Sequence, residues 1–284
     1  MARGIWPELD AEFADRCLAA AESAWQAALD NPGIYAGNNP GSGGGNYADE
    51  NVSDEFYWAA AELYITTDKA EYREYLLASE HFAEVDAFDW GHTAPLGTVS
   101  LLTNPNALPA DKKAALEQAL LTFAEDMLDV QARDGYAVLI DEDYPWGSNG
   151  LILNNMLLMG MAYETSGEAR YLDAVRLGMD YILGRNAINK SFVSGYGGYP
   201  MLHPHHRFWA NDPVEGFPPP PPGALSGGPN FNPDDPAAVE ADLMSLAPAK
   251  RYIDDIESFS TNEVAINWNA PLVWVSAFLD ATAK

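Results

Sequence analysis

Cysteine is nearly absent. Cys17 is the single one in 284 residues, so no disulfide can form within the chain and redox compartment is left open. Cationic side chains are scarce too: 15 Lys and Arg stand against 42 Asp and Glu, a formal charge of −27. A chain so acidic repels phosphates instead of releasing counterions from them, which argues against nucleic acid and against anionic membrane surfaces. No apolar run reaches the length of a membrane span, and Met1 to Trp6 has no apolar signal-peptide core. Strand-like alternation is brief and isolated, as at Tyr136 to Ile140. Neutral, cationic and metal-ion partners remain.

Hydrophobic residues at 48% and aromatics at 12% are ample for a large core. Eight Trp and fourteen Tyr exceed what that core needs; flat sugar rings stack on such side chains, although buried aromatics are the commoner use. Apolar spacing at three and four residues predicts helices over Ala11–Leu29, Glu55–Thr66, Asp68–Ser79, Leu96–Leu102, Ala110–Ala132, Asn149–Glu164 and Ala169–Leu183, and an apolar run fills Pro271–Leu279. The chain reads as all-α. The pattern Tyr64-x-Thr66-Thr67-x-x-Ala70-x-Tyr72 returns as Tyr163-x-Thr165-Ser166-x-x-Ala169-x-Tyr171, each copy joining one helix to the next, as repeated helix hairpins would. Asn38 to Tyr47 is a glycine-rich loop without the Gly-Lys-Ser/Thr ending of a phosphate loop. Asn186 to Ser260 holds most of the prolines and little periodicity; a segment this long is functional or disordered.

Four groups of residues could carry chemistry. In Ser258–Ala270 the carboxylate of Glu263 lies among Asn262, Asn267, Trp268 and Asn269 just before the last apolar run. Two readings compete there: a helix start capped by Ser/Thr and Glu, and a cleft-wall carboxyl serving as a proton donor. Tyr144-Pro145-Trp146-Gly147-Ser148-Asn149 reads as a helix N-cap by Ser148 or Asn149 with Trp146 as staple. It also reads as a sugar platform, Trp146 for stacking and Asn149 for a hydroxyl. His203, His205, His206 and Arg207 suit hydrogen bonding to hydroxyls or an anion better than zinc, because no Cys partner or His-Glu-x-x-His spacing accompanies them. Asp49, Glu50, Ser53, Asp54 and Glu55 could offer oxygen ligands to Ca²⁺, or serve as ordinary acidic complements to a helix dipole.

Three of these segments, in this order, resemble glycoside hydrolase family 9, the inverting cellulases of (α/α)6-barrel fold. They are Trp146-Gly147-Ser148-Asn149, the block from Gly184-Arg185-Asn186 through Gly195-Tyr196-Gly197 to Pro204-His205-His206-Arg207, and Asn262-Glu263-Val264-Ala265-Ile266-Asn267-Trp268-Asn269-Ala270. Asp54 to Ala60 and the loop at Gly43 to Tyr47 resemble the bacterial branch that carries an N-terminal immunoglobulin-like module. The resemblance covers nearly the whole chain. It implies that Glu263 is the general acid, that His205 and Arg207 hold the sugar beside the cleaved bond, and that Trp146, Asn149, Tyr196 and Trp268 line the cleft, Trp268 where many members have Tyr. Asp54 and Glu55, with Ser53 beside them, match a structural calcium site of part of the family, but the carboxylate expected after Trp90 is replaced by Gly91-His92. No cofactor is needed for the chemistry, and the implied location is secreted or periplasmic.

One departure concerns the reaction itself. The family's water-activating carboxylate belongs to an Asp-x-Gly-Asp motif, and no such motif occurs in the sequence. The chain reads as the C-terminal portion, 1–284, of the catalytic domain, an (α/α)6 barrel incomplete at its N-terminus. Three functions follow: a β-1,4-glucan hydrolase in truncated form, a non-catalytic oligosaccharide-binding relative, or an exo-acting glucosaminidase. A barrel without its first helices also exposes apolar faces, so self-association is expected.

Overall fold

A computed structural model describes residues 6–35, 49–141 and 143–283. It divides into two compact units, Met1–Leu120 and Leu121–Lys284. The glycine-rich loop lies almost wholly outside the described residues.

The first unit is built from α1 (Trp6–Leu9), α2 (Ala11–Asp30), α3 (Ser53–Thr67), α4 (Ala70–Ala78), α5 (Ala94–Thr103) and the start of α6 (Ala110–Arg133). The side chain of Asp10 caps α2 by accepting the Phe13 N–H at 2.9 Å. Tyr57, Ala60, Ala61, Tyr64, Tyr72, Leu76 and Leu116 form its core, with Leu18 and Trp25 of α2 packed against it. Only part of the α2 face expected to be buried is covered: Cys17 is exposed, and so are Phe13 and Leu29. Between α2 and α3 runs an open apolar groove of about 960 Å³ lined by Cys17, Leu18, Ala21, Trp25, Phe56 and Ala59.

The second unit continues α6 and adds α7 (Ser148–Ser166), α8 (Ala169–Ile182), α9 (Pro236–Glu240), α10 (Phe259–Asn262) and α11 (Ile266–Thr282). α7 packs against both α8 and α11. It is buried along most of its length, with Ile152, Leu153, Met156, Leu158 and Met159 excluded from solvent. The expected helices are all present, with ends displaced by one or two residues in most cases. No named strand occurs among the described residues. Tyr136–Ile140 is an irregular turn stabilised by Asp134, whose carboxylate accepts the N–H groups of Tyr136 and Val138. Residues 183–258 form a folded connection with three short helical turns and isolated bridges, Ser191 to Pro200 and Val193 to Leu225 among them.

The repeated sequence pattern has a repeated conformation. α3 ends at Asp68 in the left-handed region (φ 59°), its N–H donating to Tyr64 O at 2.8 Å. α7 ends likewise at Gly167 (φ 74°), donating to Tyr163 O at 2.7 Å. In each unit the tyrosine of the following helix donates to a glutamate on the helix before the hairpin: Tyr72 to Glu22 at 3.5 Å, and Tyr171 to Glu125 at 2.5 Å. Lys69 and Arg170 pair with the same glutamates.

Candidate active site

The start of α7 is tied to the 224–230 segment. Gly147 is the N-cap, in the left-handed region at φ 77°, and no side chain caps the helix. The expectation that Ser148 or Asn149 caps it is therefore corrected: both side chains are drawn away by carbonyls of another segment. Ser148 Oγ donates to Pro229 O at 2.6 Å, while Asn149 uses its N–H on Gly227 O (2.9 Å) and its Nδ2 on Ser226 O (2.9 Å). Asn149 is fully buried under Gly228, where an added Cβ would lie 2.5 Å from its amide carbon. It cannot reach a sugar hydroxyl from there.

The same segment then holds Glu263. Gly227 N donates to Glu263 O (2.9 Å), Gly228 N to Thr261 O (2.9 Å), and Asn230 Nδ2 to Ser260 O (2.8 Å). On the other side His205 N donates to Asn262 O at 2.9 Å, making a parallel bridge between His205 and Glu263. Asn262, fully buried, accepts the Tyr252 hydroxyl at 2.6 Å and donates to His203 O at 2.7 Å. Burial holds the Tyr252 hydroxyl well above its ordinary pKa, so it stays a donor. Glu263 follows the four-residue α10 in extended conformation, and α11 starts only at Ile266 with no side-chain cap. The helix-start reading of Glu263 is thus overturned: the residue takes the C-cap position of α10 and does not open α11, whose N-cap is Ala265.

The half-buried Glu263 carboxylate accepts the indole N–H of Trp146 through Oε2 at 3.0 Å. The ring of Phe259 lies between Trp146, stacked at 6.0 Å, and His205, edge-on at 5.9 Å. His205 is oriented by Nδ1 donating to Ile256 O at 2.5 Å, which leaves Nε2 as its acceptor nitrogen. The neighbouring His206 stacks on Trp209 with centroids 3.4 Å apart. Burial, and then the proximity of His205, push His206 below its ordinary pKa. Arg207 is exposed, as is Tyr196 at 56%.

Trp268 plays a different part from the one its place suggests. Its indole wedges against Gly147, Gly150 and Gly227, positions where any Cβ would meet its ring at 2.5, 2.4 and 3.1 Å. It packs the α7 start onto the Glu263 segment, being half-buried there.

Four residues of this assembly gave no separate signal as site components in the sequence reading: Asp235, Asp254, Phe259 and Tyr252. Asp254 accepts Lys190 Nζ (2.6 Å) and the N–H groups of Leu202 (2.8 Å) and His203 (2.8 Å), fastening the histidine loop. Asp235 could have been read from Asp235-Pro236, an N-cap followed by proline at the first helical position.

The calcium expectation fares differently. Ser53, Asp54 and Glu55 do meet at the first turn of α3, where Ser53 and Asp54 bond nearby groups while Glu55 Oε2 is buried without a hydrogen-bond partner. Ser53 Oγ bonds His81 Nε2 at 2.8 Å, His81 Nδ1 bonds Glu84 at 2.5 Å, and Asp54 Oδ2 accepts Thr93 N (2.7 Å) and Oγ1 (3.1 Å). Burial and the hydrogen bond to Asp54 push Glu55 up to about 7. Burial also acts to raise Asp54, but hydrogen bonds from Glu55 and Thr93 outweigh it and lower its pKa. The pKa values of the two neighbouring carboxyls are thus pushed apart, Glu55 upward and Asp54 downward. Among the described residues no group of three or more His, Cys, Asp or Glu is arranged to hold a metal ion.

The profile of glycosyl hydrolase family 9 matches residues 1–276. The chain belongs to this family. Among family 9 relatives, it is 44% identical over 303 residues to a cellulose 1,4-beta-cellobiosidase of Acetivibrio thermocellus, covering 97% of this chain and 34% of that protein. Endoglucanase C of Cellulomonas fimi is 39% identical over 280 residues, covering 95% of this chain and 25% of the relative. The crystal structure of the family 9 endoglucanase J30 superposes with a TM-score of 0.88 at 30% identity, covering 98% of this chain and 52% of that one. The fold is accordingly the all-α, (α/α)6 type of family 9, and this chain spans between a quarter and a half of the length of these relatives.

Proposed function

We propose that the chain carries the acid side of a β-1,4-glucan hydrolase active site, with Glu263 as the proton donor. The observation that supports this most is the placing of Glu263: its backbone is bridged to that of His205, and its half-buried carboxylate is held through Oε2 by Trp146. With Oε2 engaged, Oε1 is the oxygen that presents a proton to the glycosidic oxygen. His205 Nε2 and Arg207 would bind hydroxyls of the sugar beside the cleaved bond, and the exposed faces of Trp146 and Tyr196 would stack on pyranose rings. Substrates of the cellulose and cello-oligosaccharide class fit the names of the relatives. A polymer of that size is met outside the cytoplasm, so we place the working protein in a secreted or periplasmic setting.

Inversion needs a second carboxylate about 6.5–9.5 Å from the acid to activate water. The sequence holds no Asp-x-Gly-Asp to supply it in the family's form. A second reading is an oligosaccharide-binding relative with the same cleft wall and no turnover. The two separate cleanly. Reducing ends are measured after incubation with cello-oligosaccharides, beside calorimetric titration of the same sugars. Release that Glu263→Gln abolishes supports the hydrolase; binding without release supports the second reading; neither binding nor release removes both. Cleavage of chitosan oligomers in preference to cello-oligosaccharides would move the substrate to glucosaminides.

A further inference from the structure

Behind Glu263 lies a second carboxylate that solvent cannot reach. Asp235 is fully buried, and among the described residues hydrogen bonds, with no ion pair, hold its carboxylate. Oδ1 accepts the Ala238 N–H at 2.7 Å, capping α9. Oδ2 accepts Ser258 Oγ at 2.9 Å, Ser260 N at 2.9 Å and Ser260 Oγ. Four donors satisfy its acceptor capacity and leave it no role in moving protons. A helix of five residues does not need a fully buried carboxylate as its cap, since a cap at an exposed end works equally well. The remaining three bonds explain the burial.

They grip the two residues on either side of Phe259. The ring of Phe259 touches both Trp146 and His205, and Trp146 in turn holds the Glu263 carboxylate. Ser258 Oγ also bonds Thr261 Oγ1 at 2.8 Å, closing the turn that leads into Asn262 and Glu263. We infer that Asp235 is the positioning residue of the site: by clamping Ser258 and Ser260 it fixes the Phe259 ring, and through that ring it sets Trp146, His205 and the Glu263 carboxylate in register. The inference rests on the hydrolase reading of Glu263, but its test does not depend on turnover.

Asp235→Asn keeps the size and puts an amide N–H₂ against at least one group of donors, so the grip on one side is lost. The readout is the Trp146 Nε1–H resonance, assigned by its disappearance in Trp146→Phe. In Asp235→Asn this resonance shifts away from its hydrogen-bonded position and its solvent exchange quickens by about tenfold or more. A control of matched stability loss, Val175→Ala in the buried face of α8, leaves it in place. If Asp235→Asn does not fold, Ser258→Ala/Ser260→Ala removes the hydroxyl donors instead and has the same effect on the resonance. An unmoved resonance in the folded variants, or an equal shift in Val175→Ala, overturns the assignment. Where the native chain hydrolyses cello-oligosaccharides, Asp235→Asn lowers kcat with little change in KM. A native chain without turnover counts against the hydrolase reading alone, and the indole resonance still decides the role of Asp235.

Discussion

Replacing Gly150 with alanine tests whether Trp268 is a packing wedge beneath the Glu263 segment. In an exposed helix the change would stabilise by about 0.5–1 kcal/mol, because alanine loses less backbone entropy. Here the new Cβ would lie 2.4 Å from Trp268 Cδ1 and 2.9 Å from Cγ, well inside contact distance. The indole has little room to retreat, since Gly147 and Gly227 close on its far edges. Overpacking of this kind costs about 1–3 kcal/mol. Set against the entropy gain, the net is a loss of about 1–2 kcal/mol. For a unit of this size that lowers Tm by about 2–8 °C. Differential scanning calorimetry of Gly150→Ala beside the native chain reads it directly. An unchanged or raised Tm would show that Trp268 moves freely, and the wedge would have to be abandoned.

Three further outcomes follow from particular groups. Glu55 has its pKa raised to about 7, so its contribution to stability is complete below the unfolded carboxylate value and fades as pH rises through 7. Glu55→Gln should leave Tm unchanged near pH 4.5 and raise it relative to the native chain at pH 8; a difference of the opposite sign refutes the upward shift of Glu55. Lys190→Met strands Asp254, whose side chain is 13% exposed, with backbone donors and Asn262 only, and should cost about 1–3 kcal/mol, seen as a lower urea midpoint. An unaltered midpoint would mean the backbone donors suffice. The apolar groove between α2 and α3 predicts concentration-dependent association in sedimentation at high salt, where the charge of −27 is screened; a monodisperse monomer at all concentrations contradicts it.

The helices were legible because their cause is local. Apolar spacing located α2 through α8, and the paired Tyr64 and Tyr163 patterns marked two hairpins that end in the same left-handed turn. The motif stretches around Trp146, His205 and Glu263 were also visible; Trp146 reaches the Glu263 carboxylate and His205 bridges its backbone. What the residues could not reveal is which polar groups would be spent on holding backbone. Asn149 and Ser148 look like helix caps in sequence, yet the carbonyls of Ser226 and Pro229, 77 and 81 positions away, claim them. Trp268 has a cleft residue's place in the motif, but three glycines distant in sequence open a slot that takes its ring. Glu263 resembles a helix opener because α10 is too short to show periodicity. Ser53 and Asp54 resemble calcium ligands in sequence, but His81 and Thr93, brought in by folding, bond their oxygens.

Reducing-end release from cello-oligosaccharides by the native chain and by Glu263→Gln is the most direct measurement of the central claim. A general acid contributes about 10²–10⁴-fold, so the variant should fall by that factor while calorimetry shows the sugar still bound. Equal rates in the two proteins, or no release from the native chain, would contradict it.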